Sequence, residues 1–89
     1  MAFEYEMTAS MREAAREAAE MAAIHAADAR EFQRALDRLP AGRPLMRVEL
    51  TRRLADARRI FADFSAREKS VLDLRAAAIK ALKHASRVA

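Results

Sequence analysis

The sequence predicts an all-α protein: a helical hairpin of two long amphipathic helices, at about 8–39 and 45–86, joined by a turn at 40–44. Three observations carry this expectation. The only glycine and both prolines of the chain fall within Pro40-Ala41-Gly42-Arg43-Pro44. Proline fixes φ and lacks an amide donor, and glycine accepts left-handed geometry, so this cluster ends one helix and starts another. Elsewhere Ala, Arg, Glu, Leu and Met dominate, all strong helix formers, and apolar residues recur at helical spacing on both sides of the turn.

In the first half, Ser10 with Glu13 forms a candidate capping box, and Thr8 is a competing start. Met7, Met11, Ala14, Ala18, Met21, Ala22, His25, Ala29, Phe32, Leu36 and Leu39 then fall in one stripe about 100° wide, with the charged residues outside it. A helix of about 30 residues follows, roughly 45–50 Å long. The stripe is rich in alanine at its middle, which lets a partner helix approach closely.

In the second half, a stripe from Met46 through Leu54, Phe61, Phe64 and Val71 to Leu82 keeps its phase throughout. Preserved phase argues for one helix of about 40 residues. Ser65 with Glu68 is a rival signal, since a capping box there would break the helix near Ser65 and give a three-helix bundle.

A chain of 89 residues makes a single domain, 1–89, with a thin core. A domain of this size buries only about 60–65% of its unfolded surface. A lone hairpin leaves one side of each stripe wet, and doubling it into a four-helix bundle or a larger helical assembly covers the rest. The expected partner is therefore the chain itself, as a dimer or larger, or a helical protein supplying the missing face. The residues expected at that interface are Met11, Met21, His25, Phe32, Leu54, Phe61 and Phe64, with Glu68 and Arg75 at the centre of the second stripe setting register. Counting outward from the turn places His25 near residue 59, Glu68 near residue 16, and Arg75 near residue 9, so Glu68 is expected to meet Arg16 or to pair with Arg75 across a two-fold axis.

Charge is divided by the turn. Residues 1–39 hold eight acids and five Lys/Arg, a net of −3, and residues 40–89 hold five acids and twelve Lys/Arg, a net of +7. Antiparallel packing of an acidic half on a basic half follows, within a chain or between chains. The alternative is a polyanion partner, nucleic acid above all, with Arg52, Arg59, Lys80, Lys83 and Arg87 as candidate contacts. Carboxylates are interleaved with these cations and Phe61 and Phe64 belong to the core stripe, so the structural reading is preferred.

Chemistry-bearing patterns are sparse. The two histidines, His25 and His84, have no second ligand at i+3 or i+4 beyond Asp28, so no metal, cofactor or small-molecule site is expected. The serines have no locally spaced base, and a single glycine forbids a phosphate loop. A non-enzymatic interaction module, a small adaptor or regulatory protein, is the expectation. The chain contains no cysteine. The acidic opening residues lack the pattern of a secretory signal and no apolar run approaches a membrane span, so the expected location is cytoplasmic.

The run Leu36-Asp37-Arg38-Leu39, the Pro40–Pro44 turn, and the stretch from Leu54 through Ser65, Lys69, Asp73 and Ala77-Ala78 to Ile79 resemble the small needle and rod subunits of type III secretion systems. Those subunits are helical hairpins with a proline-containing turn that polymerise through a long C-terminal helix. The resemblance implies a homopolymer. It covers about half the chain, which differs in being rich in arginine and in having no Trp near its start.

Overall fold

Two helices account for nearly the whole chain. The computed structural model describes the backbone of residues 2–88 and the side chains of residues 6–88. Helix α1 runs Ala2–Arg38 and helix α2 runs Pro44–Val88. They pack antiparallel against each other in an all-α hairpin, with no strand among the described residues, 72 Å long and 15 by 14 Å across its Cα atoms.

The turn spans Leu39–Arg43, one residue earlier than expected, because Pro44 opens α2 rather than closing the loop. Proline suits the first helical position, where its missing amide costs no hydrogen bond and its φ is already helical. The Arg43 carbonyl accepts from Arg47 N at 3.0 Å, making Arg43 the N-cap. On the other side, Leu39 N donates to Leu36 O at 3.2 Å, which tightens the last turn of α1. Gly42 carries the reversal at φ 91°, a value that residues with a Cβ rarely adopt. Arg47 Nη2 then reaches back across the turn to the Leu39 carbonyl at 3.5 Å.

Two further boundaries are corrected, and the expected continuity of α2 is found. Helix α1 starts at Ala2 rather than near Thr8 or Ser10, since no breaker lies between them and cap-forming side chains act as starts only where the chain leaves the helix. Glu13 accordingly pairs with Arg16 rather than closing a box with Ser10. Helix α2 ends at Val88, two residues beyond the expected end. It passes through Ser65 unbroken, so the three-helix arrangement is not formed.

The seam between the helices follows alternating steps of three and four residues, the spacing that keeps two helices in register along their length. On α1 the buried positions are Thr8, Ala15, Ala18 and Ala22; on α2 they are Leu54 and Ala57. Ala15 replaces Ala14, which is exposed, and Thr8 lies deeper than Met7. The N-terminal part of the seam is thus rotated by about one residue from the stripe that straight-helix geometry draws. Small side chains take its centre and the longer methionines lie along its side. Among the described residues, no large side chain is fully buried.

Candidate interaction face

Phe64 is the centre of the most structured contact between the helices. Its ring stacks on that of His25 with centroids 6.1 Å apart and an interplanar angle of 7°. The Arg67 guanidinium lies 5.1 Å from the Phe64 centroid, a cation–π contact. His25 Nδ1 stands 3.9 Å from Asp28 Oδ2, too long for a hydrogen bond. His25 also lines a shallow groove with Phe32, Ala57 and Ile60, which agrees with the register expected from the turn. Phe64 reaches it from further along α2 because side chains tilt toward the N-terminus of their own helix, so in an antiparallel pair His25 and Phe64 lean toward each other.

Arg75 lies at the height where counting from the turn places it. Its Nε donates to the Thr8 carbonyl at 3.1 Å, beside the residue 9 position to which the turn assigns it. Glu68 is half-buried, but Arg16 does not meet it. Arg16 is held instead by Glu13 and by Glu20, the latter at 2.6 Å, on its own helix. Those neighbours lie one turn away on an exposed face, and so outcompete a cross-helix partner. Of the remaining expected interface residues, Met11 and Phe32 are half-buried and Leu54 is 5% exposed. Met21 and Phe61 lie at the rim of the seam and are exposed.

The two sides of the hairpin differ in how their apolar residues are arranged. Ala14, Ala18, Met21 and Phe64 floor a groove of about 210 Å³, with Glu17 and Arg67 at its edges. One turn beyond Met21 on the same flank lies Ile24, 53% exposed; one heptad beyond Arg67 lies Leu74, 61% exposed. On the opposite side Arg58 Nη2 donates to Gln33 Oε1 across the two helices at 3.2 Å, and Leu72, two heptads beyond Arg58, is 43% exposed. Ile24 and Leu74 were absent from both sequence stripes. Their signal was available: each is a large apolar residue out of phase with the stripe on its helix.

The candidate polyanion contacts divide into two groups. Arg52 pairs with Glu49 at 2.6 Å and Arg59 with Asp56 at 3.4 Å, so carboxylates on the same helix offset both. Lys80, Lys83 and Arg87 have no carboxylate partner among the described residues. They line a groove of about 500 Å³ near the end of α2, with Leu72, Ile79 and His84. Among the described residues, no group of three His, Cys, Asp or Glu side chains is placed to hold a metal ion. No helix among them is long and apolar enough to cross a membrane.

No family model, curated protein or solved structure matches this chain. The likeness to needle and rod subunits therefore stands on the residues from Leu36 to Ile79 alone.

Proposed function

We propose that this protein is a non-enzymatic helical interaction module that works by self-association, as a small adaptor or regulatory protein would. The observation that carries the reading is the composition of the core: four alanines and one leucine, Ala15, Ala18, Ala22, Leu54 and Ala57. Removing such small side chains from water contributes little, at about 25 cal/mol per Å² of apolar surface, against a backbone entropy of about 1–2 kcal/mol per residue. Meanwhile Met21, Ile24, Phe61, Leu72 and Leu74 stay exposed on the outside of the hairpin.

Surface area supports the same reading. The chain exposes 6930 Å². A compact 10.0 kDa monomer exposes about 5,200 Å². The excess of about 1,700 Å² comes with the elongated shape, and it leaves room for the roughly 1,000–2,500 Å² that each subunit of a permanent complex typically buries. Sedimentation velocity at micromolar concentration tests the proposal: a dimer or larger species is expected, and a folded monomer at all concentrations would refute it. A mass that keeps rising with concentration would favour the open polymer implied by the secretion-subunit likeness.

A second reading rests on Lys80, Lys83 and Arg87, whose charges no carboxylate offsets among the described residues. In that reading the end of α2 binds nucleic acid through phosphate. It predicts retention on heparin or DNA that weakens steeply between about 50 and 200 mM salt. No binding at low salt would remove it.

A further inference from the structure

We infer that the second copy docks on the Met21–Phe64 side of the hairpin with the two turns at the same end, so that α1 of each copy lies against α2 of the other. The inference rests on the self-association reading and adds to it a face and a direction.

The face follows from what each side offers. On the Met21–Phe64 side, Ala14 and Ala18 leave a groove beside Phe64, and Ile24 and Leu74 stand exposed on its flanks. A groove floored by small residues and bordered by large apolar ones accepts the ridge of another helix. On the other side Leu72 is exposed too, but the Arg58–Gln33 hydrogen bond spans the two helices, and seating an apolar surface there would desolvate two groups already paired with each other.

The direction follows from charge. A two-fold axis across the interface admits two face-to-face arrangements. With the turns at opposite ends, α1 stacks on α1 and α2 on α2, setting two strongly basic helices side by side. With the turns together, the acidic first half of one copy lies along the basic second half of the other. Neighbouring helices run antiparallel in both arrangements, so helix dipoles do not choose between them and the side-chain charges do. Within this arrangement the in-chain register repeats between chains, because both copies sit at the same height. Glu17 and Arg67 border the same groove, and neither has an ion-pair partner in its own chain among the described residues. Turns-together docking brings Glu17 of each copy to Arg67 of the other, at both edges of the interface.

The chain contains no cysteine, so a single spin label can be placed on Ala41→Cys, an exposed position in the turn. Dipolar spectroscopy on this variant, with its mass read by sedimentation, separates the outcomes. A dimer with labels within roughly 20–35 Å, the span of two helical layers about 10 Å each, is the expected result. A dimer with labels near the 72 Å hairpin length overturns the direction while leaving self-association standing. A monomer overturns both. The face is tested by Ile24→Glu and Leu74→Glu against Ala62→Glu on the other side, all at exposed positions, with helicity followed by circular dichroism. Dissociation by the first two alone is expected. Dissociation by Ala62→Glu with the other two silent overturns the assignment of the face.

Discussion

Arg75 Nε donates to the Thr8 backbone carbonyl at 3.1 Å, joining residues 67 positions apart in the chain. Thr8 is only 7% exposed, so this contact reaches into the seam rather than lying on its surface. It ties α2 to α1 at the end away from the turn. Arg75→Met keeps the apolar stem and removes the donor, and is expected to cost about 1 kcal/mol. Hydrogen exchange gives the sharper readout: amides near Thr8 should exchange faster in the variant, and those beside the turn should not.

Leu54 is the one large residue in a core otherwise made of alanine. Leu54→Ala is expected to cost about 2–5 kcal/mol by lost burial and the cavity left behind. Ala18 is 3% exposed, and Ala18→Leu tests the opposite failure. Forcing a larger side chain between closely packed helices typically costs about 1–3 kcal/mol. Chemical denaturation of both variants checks the pair; an Ala18→Leu protein as stable as the parent would show that the helices are not closely packed there.

Gly42 has open space where a Cβ would stand, and its φ is 91°. Gly42→Ala should therefore destabilise the hairpin through backbone strain alone, by about 1 kcal/mol, and Gly42→Asn by less, since asparagine tolerates positive φ better. Thermal melts of the two variants, followed by circular dichroism, should rank them in that order.

Two exposed carboxylates make a pH prediction. A hydrogen bond from Arg16 holds the Glu13 carboxyl below its ordinary value of 4.5. Hydrogen bonds from Arg53 and Arg52 do the same to Glu49. A carboxyl whose folded pKa lies below its unfolded value stabilises the fold fully above the unfolded value, near 4.5, and loses that contribution as pH falls through the folded pKa. The loss should be small, because exposed ion pairs contribute little. Side-chain carboxyl NMR should show Glu49 titrating low in the parent and near its ordinary value in Arg52→Gln/Arg53→Gln.

The hairpin was legible because its punctuation is concentrated: one glycine and two prolines in five residues leave no competing site for a reversal. Continuity through Ser65 was legible in the unbroken phase from Met46 to Leu82. The start of α1 was not, since Thr8, Ser10 and Glu13 carry cap chemistry that a continuing helix leaves unused. Thr8 instead lies in the seam. The choice of Ala15 over Ala14 was hidden for a different reason. Adjacent alanines carry equal hydrophobic weight, and only the paired helix decides which faces inward. Ile24 and Leu74 were visible as apolar residues out of phase, but their place on one side of the hairpin needed the contact between Met21 and Phe64 flanks. His25 and Phe64 were both expected at the interface; their stacking on each other depends on the opposed tilt of side chains in an antiparallel pair, which a count from the turn leaves out.

The central claim is that an alanine-lined hairpin reaches stability by pairing with a copy of itself. Sedimentation equilibrium combined with thermal unfolding over a hundredfold range of protein concentration tests it most directly. The account predicts a dimer or larger species whose melting temperature rises with concentration, as mass action requires of a fold that depends on association. A monomeric species at every concentration, melting cooperatively at one fixed temperature, would contradict it.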